Sequence, residues 1–259
     1  MKFGIIGSGS WATALAKILT DHGNTIHWWI RNAESIQYFQ KRRHNPHYLS
    51  SAYFNTNQLH ISDNLAAVVA ASDVLVVAVP SAYVEETLFS LAPEAWRGKK
   101  IVSAVKGILF RSNQLLHEWL AEHLAFPTSD YFTVLGPCHA EEVASEKLSY
   151  LTFSGQDKET TQKIADHFQT EYINTMVNHD VVGVQYAAVM KNIYALGAGI
   201  AHGLEYGDNF LSVYIAGCAN EMSGFLRRQS GIVDKNAPEN PNYAASVYLG
   251  DLLVTCYSL

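Results

Sequence analysis

Two textures of apolar and polar residues divide this chain. Through the first two-thirds, short runs of consecutive apolar residues alternate with amphipathic stretches. Lys2-Phe3-Gly4-Ile5-Ile6 is the first run, and apolar positions from Trp11 to about Asp21 then recur at helical spacing. Thr25 to Ile30 is a second strand pattern, between Gly23-Asn24 and Arg31-Asn32. Val74 to Val79 is a continuous apolar run closed by Pro80-Ser81, as expected for a strand buried on both faces. Lys100 to Ala104, Tyr131 to Leu135, Leu148 to Ser154 and Tyr172 to Val177 complete the strands, with a helix from about Lys158 to Phe168 before the last. Such alternation predicts a largely parallel, doubly wound α/β sheet. After about Asn178 strands cease, and Val181, Val184, Ala188, Ile193, Leu196 and Ile200 follow helical spacing. Gly197, Gly199, Gly203 and Gly207 predict a break or close packing there, and Gly231 to Asn242 reads as a loop. The expected division is therefore residues 1–178, a sheet domain, and 179–259, an all-helical one.

Between the first strand and first helix lies Gly7-Ser8-Gly9-Ser10-Trp11-Ala12. This order is what a dinucleotide pyrophosphate needs. Gly7 permits the tight turn, Gly9 lets the backbone approach the phosphates, and Ala12 lets helix and strand pack closely. The helix N-terminus adds free N–H groups and a positive dipole end. The plainer reading is a glycine turn with no nucleotide. A Rossmann-type domain specific for NAD ends its second strand in an acid that binds the ribose 2′-hydroxyl. Here Ile30-Arg31-Asn32 holds that place, and the guanidinium of Arg31 suits a 2′-phosphate, which favours NADP over NAD. A solvated arginine at a strand end is the alternative.

Composition narrows the classes. Among 259 residues, 48% are hydrophobic and 16% charged, enough apolar material for a real core. A net charge of −6 argues against a nucleic-acid surface, and the one basic run, Lys41-Arg42-Arg43-His44, reads as a solvated helix end. Cys138, Cys218 and Cys256 have no metal-ligand spacing, so neither bound metal nor a disulfide framework is expected. No signal peptide is read before the first strand, and the most apolar stretch, Leu65 to Val79, is broken by Ser72-Asp73, so no membrane span is expected. The expected setting is a reducing, cytoplasmic one.

Further clusters sit where a parallel sheet keeps its chemistry, beyond the carboxyl ends of strands. They are Val79-Pro80-Ser81, Lys106-Gly107 and Gly136-Pro137-Cys138-His139-Ala140-Glu141-Glu142, followed by Met190-Lys191-Asn192 in the first helix of the second domain. Either lysine alone would ordinarily be a surface residue. Lys191 interrupts a nearly apolar helical run, where a lysine costs free energy unless it is paired or used.

Taken in order, these clusters resemble the NAD(P)-dependent glycerol-3-phosphate dehydrogenases. Asn45-Pro46-His47-Tyr48-Leu49, Tyr206-Gly207-Asp208-Asn209 and Leu249-Gly250-Asp251-Leu252-Leu253-Val254-Thr255-Cys256 extend the match through essentially the whole chain. The resemblance implies reversible hydride transfer between NAD(P)H and dihydroxyacetone phosphate, giving sn-glycerol 3-phosphate for glycerophospholipid synthesis. It assigns Ser10, Trp11, Arg31, Lys106 and Ala140 to the cofactor, beside Gly7 and Gly9. Lys191 becomes the catalytic lysine. Lys106, Gly136, Cys138, Lys191, Asn192, Asp251 and Thr255 form the substrate pocket. Asp251 would orient a lysine or a substrate hydroxyl, or else cap a helix.

Two departures stand out. The family commonly has serine where Cys138 stands. It also continues beyond the position of Leu259 into a Ser-Arg-Asn segment and further helices, so the helical domain is expected to be incomplete at its C-terminus, with apolar surface exposed and self-association, including a homodimer, admitted. Two other readings stay open: a nucleotide-binding protein with little catalysis, and a related dehydrogenase acting on a hydroxy acid.

Overall fold

The computed structural model describes residues 1–229 and 241–258. Eight strands, β1 (Phe3–Ile6), β2 (Ile26–Trp29), β3 (Leu59–Ser62), β4 (Val74–Val77), β5 (Lys100–Ser103), β6 (Tyr131–Leu135), β7 (Ser149–Gly155) and β8 (Ile173–Asn178), form one sheet. Their order is β3-β2-β1-β4-β5-β6-β7-β8. Within the sheet region α1 (Ser10–Asp21), α2 (Ala33–Arg42), α3 (Leu65–Ala71), α4 (Ser81–Phe89), α5 (Leu116–Leu124), α6 (Ala140–Ala144) and α7 (Lys158–Asp166) alternate with the strands. From Val181 onward the described elements are helical: α8 (Val181–Gly203), α9 (Gly207–Gln229), a π-helical turn at Ser246–Gly250 and α10 (Asp251–Tyr257).

Burial follows the strand period. Phe3 and Ile5 enter one core with Ala12, Leu15 and Ile18 of α1, whereas Ile6 enters the opposite core with Leu75 and Val77 of β4. β4 is buried along its whole length, so both faces are covered, as its unbroken apolar run predicts. A third core joins α8, α9 and α10 through Val184, Ala188, Ile215, Met222 and Leu252.

From β3 to β6 every neighbouring pair is parallel, but β7 runs antiparallel to β6 and β8 parallel to β7. Between β6 and β7 the chain carries only the five-residue α6 and its flanking loops, in place of a longer crossover helix. Close approach at Gly136 makes the turn possible: its φ is +133°, and a Cβ there would meet Tyr150 O at 2.9 Å.

Two elements escape the sequence pattern. Edge strand β3 is only partly buried, and α2 buries just Ser35 and Phe39, so neither carries a strong apolar signature. The basic run does end a helix: Lys41 and Arg42 lie in the last turn of α2, and Arg43 closes it with φ 63°. The glycines do both things expected of them: the chain breaks between α8, which ends at Gly203, and α9, which starts at Gly207 with φ 77°, and Gly197 admits the Tyr214 hydroxyl, which donates to Tyr194 O at 3.0 Å. The loop read from Gly231 to Asn242 lies, up to Asn240, outside the described residues.

On the outer face of α8, Ile193, Leu196 and Ile200 are between 57% and 68% exposed, matching the expected apolar surface on the helical domain. Among the described residues no helix is long and apolar enough to cross a membrane, and no His, Cys, Asp or Glu group has the arrangement of a metal site.

Candidate active site

A cleft of about 370 Å³ opens beyond the carboxyl ends of β1, β4, β5 and β6. Gly9, Ser10 and Trp11 line it on one side, Ala78 to Ser81, Ala104 and Lys106 on another, and Cys138 to Glu141 on a third. The glycine turn that starts it has two different glycines. Gly7 has φ +125°, and a Cβ there would overlap Ala78 O, so backbone packing demands glycine. Gly9 has an ordinary φ of −74° and nothing within 4 Å of a Cβ position. What Gly9 keeps free is the cleft itself. It caps α1 without a side chain, which leaves the first-turn amides open to an anion.

The turn is braced from three directions. Trp28 Nε1 donates to Gly7 O at 2.7 Å, and Thr13 Oγ1 donates to Gly9 O at 2.9 Å. Asn45, only 2% exposed, donates from Nδ2 to Ser8 O at 3.1 Å and Thr13 Oγ1 at 2.8 Å. Its Oδ1 accepts from the backbone N–H groups of His47 and Tyr48. The Asn45-Pro46-His47-Tyr48-Leu49 motif is thus a brace for the glycine turn. Trp11 presents a buried Nε1 with no partner among the described residues, under the Lys106 ammonium, whose Nζ lies 5.2 Å from the indole centre. A narrow backbone turn, an uncapped helix start and an indole donor awaiting an acceptor fit a dinucleotide.

A buried charged pair lies where α10 packs on α8 and α8 on β6, off the cleft lining and joined to it through Lys106. Lys191 is 4% exposed and Asp251 2% exposed, and Lys191 Nζ sits 2.5 Å from Asp251 Oδ2. Burial pushes the Lys191 pKa below the ordinary lysine value; Asp251 opposes that, and nearby Lys106 presses it further down. The ammonium is therefore a more willing proton donor than a surface lysine. Cys138 is buried as well, and its thiol is pushed up to about 12, chiefly by burial, which favours the protonated form.

The remaining expected residues are less tightly gathered. Ala140 opens α6 on the cleft wall. Thr255 is half-buried and donates to Asp251 O at 2.6 Å, fixing the helical turn that carries the aspartate. Gly136 makes the close approach to β7. Asn192 is exposed and donates back to Ala188 O of its own helix at 3.2 Å. Arg31 is exposed just past β2 and does not line the cleft.

One buried group went unread in the sequence. Lys17 of α1 pairs with Asp21 at 2.7 Å and Glu146 at 2.9 Å, and Tyr172 donates to the same Asp21 carboxylate. That network ties α1 to the segment between α6 and β7. Glu146 is 129 residues away, so no local pattern discloses it.

Comparison with known proteins agrees with this geometry. A family model described as NAD-dependent glycerol-3-phosphate dehydrogenase N-terminus matches residues 2–161, and one described as its C-terminus matches residues 180–259. A glycerol-3-phosphate dehydrogenase (NAD(P)+) of Lacticaseibacillus casei is 31% identical over 265 residues, covering 100% of this chain and 74% of its own. A second, from Salinibacter ruber, is 34% identical over 255 residues, covering 98% and 72%. The crystal structure of glycerol-3-phosphate dehydrogenase from Coxiella burnetii superimposes with a TM-score of 0.85 at 26% identity, covering 98% of this chain and 75% of its own.

Proposed function

The chain belongs to the NAD-dependent glycerol-3-phosphate dehydrogenase family, oxidoreductases that use NAD or NADP, and from that premise we propose that it reduces dihydroxyacetone phosphate to sn-glycerol 3-phosphate with NADPH. The observation that carries this reading is the buried Lys191–Asp251 pair, with Lys106 joining it to the cleft beside the glycine turn. The proposed division of labour is a nucleotide unit, residues 1–178, and a helical substrate unit, 179–259.

When bound, the reduced nicotinamide supplies hydride to the substrate carbonyl carbon. Lys191 Nζ donates the proton that the developing alkoxide needs, and in the reverse direction the neutral amine accepts it. Asp251 Oδ2 holds Lys191 Nζ in place, and Thr255 holds the turn beneath Asp251. Lys106 attracts the substrate phosphate and eases proton release from Lys191. Gly136, Cys138 and Asn192 complete the substrate pocket. Gly7, Gly9, Ser10, Trp11 and Ala140 hold the pyrophosphate side of the nucleotide, and Arg31 takes the 2′-phosphate of NADPH. The product would feed glycerophospholipid synthesis in the cytoplasm, a setting in keeping with three buried, unpaired cysteines. The exposed apolar row on α8 gives a homodimer a contact face, which size-exclusion chromatography with light scattering reads.

The test is NADPH oxidation by the purified chain with dihydroxyacetone phosphate, run beside a panel of keto acids. Turnover of dihydroxyacetone phosphate alone is the expected outcome. Turnover of a keto acid instead would favour the hydroxy-acid reading, and cofactor binding without turnover would favour a nucleotide-binding protein.

A further inference from the structure

A second cleft, of about 610 Å³, is lined from α4, α5 and the segment before α5, and it shares no lining residue with the first. We propose that it binds a small organic ammonium ion, held by the Glu85 carboxylate against an aromatic wall.

Glu85 is 5% exposed and lines this cleft, and its Oε2 has no hydrogen-bond partner among the described residues. A carboxylate oxygen withdrawn from water without a donor is costly, so a cationic donor in the cleft is strongly favoured. No described residue bonds to that oxygen. Arg111, the one cationic arginine or lysine on the lining, is exposed and makes no ion pair among the described residues. Ser112 places a second buried, unpartnered oxygen on the same lining, and Glu86 adds another acid at the rim.

The same lining carries three aromatic rings, Phe89 one turn after Glu85 on α4 and Trp119 and His123 on α5. Trp119 stacks on His123 with centroids 5.0 Å apart, and Phe89 meets Trp119 edge-on at 4.6 Å. His123 Nδ1 is occupied by Trp119 O at 3.0 Å. One buried carboxylate on a lining shared with three rings suits an alkylammonium better than a metal ion: the charge meets Glu85, and the alkyl chain lies on the exposed ring of Phe89. The residues hold no three-ligand metal arrangement.

Isothermal titration of the full chain with n-butylammonium chloride, with sodium butyrate and 1-butanol as controls, reads this directly. Saturable binding of the ammonium, absent for butyrate, weaker for butanol and unchanged by saturating NADPH, is the expected result. Glu85→Gln should weaken it at least tenfold. Phe89→Ala, at a half-exposed position that does not threaten folding, should weaken it several-fold. Lack of saturable ammonium binding, equal binding of butyrate, displacement by NADPH, or full affinity in both variants would each overturn the proposal.

Discussion

The nucleotide half and the substrate half of the proposed site are built from opposite materials. The nucleotide half is backbone: a glycine turn, an uncapped helix start and a ring of neutral donors from Trp28, Thr13 and Asn45. The substrate half is buried charge, with Lys191 against Asp251 and Lys106 pressing on the pair. A backbone site tolerates little change in shape but carries no titrating group of its own. A buried ion pair is chemically active, yet it exposes the fold to large losses whenever one partner is removed. Mutations in the first half should therefore register mainly as binding and strain, and mutations in the second as turnover, pH dependence and stability.

The sharpest test of that contrast is Lys191→Ala. Loss of a general acid lowers turnover by about 10²–10⁴-fold. The same change strands the Asp251 carboxylate at 2% exposure, and breaking a buried pair costs about 3–5 kcal/mol. The double variant Lys191→Met with Asp251→Leu separates the two effects. Chemical denaturation should show most of the stability restored, while NADPH oxidation stays at the level of the single variant. Recovery of turnover would remove Lys191 from proton transfer.

In the nucleotide half, Gly7→Ala and Gly9→Ala form the matching pair. Gly7→Ala forces an L residue to φ +125° and into Ala78 O, so strain of about 1–3 kcal/mol should appear in denaturation, together with lost NADPH binding. Gly9→Ala meets open space at an ordinary φ; stability should change by less than about 0.5 kcal/mol while NADPH affinity falls at least tenfold. Equal destabilisation by both would mean that Gly9 is structural rather than a seat for phosphate.

What the sequence disclosed divides along the same line. Gly7, Gly9 and Lys191 were legible because each is a local anomaly: glycines between a strand and a helix, a lysine in an apolar helical run. The strands were legible too, because a doubly buried sheet writes continuous apolar runs such as Val74 to Val77. Groups that act over distance were not. Asn45 braces Ser8 and Thr13 from 37 and 32 residues away, and nothing near it in sequence shows that its amide is buried. Glu85 sits in α4, a short helix without a clear apolar stripe, with no local sign that its side chain is buried. The reversal at β7 is a matter of strand pairing rather than of residue type.

Arg31 lies between these cases, recognisable by position yet exposed and outside the cleft lining. A charge-assisted contact is worth about 1.5–3 kcal/mol, and exposure places Arg31 at the lower end. Arg31→Ala should therefore weaken NADPH by about tenfold and leave NADH unchanged, as read by fluorescence titration of each reduced cofactor. Equal loss for both would remove the 2′-phosphate from its role and leave Arg31 a solvated strand end.

The finest test lies in the pH profile, and its strength is that two substitutions must move it in opposite directions. Reduction needs Lys191 protonated, so kcat/KM should fall as pH rises through its pKa, which burial sets below the ordinary 10.5. Asp251 favours the charged form; Asp251→Asn removes that support, and the alkaline limb should move to lower pH. Lys106 disfavours the charged form; Lys106→Met relieves that pressure, and the limb should move to higher pH, even as the lost phosphate contact raises KM. In the nucleotide half, Gly9→Ala contributes no titrating neighbour to Lys191 and should leave the limb where it is. A limb that ignores both charge variants would assign the proton to another group, and one that follows Gly9→Ala would mean that nucleotide binding, not Lys191, sets the pH dependence.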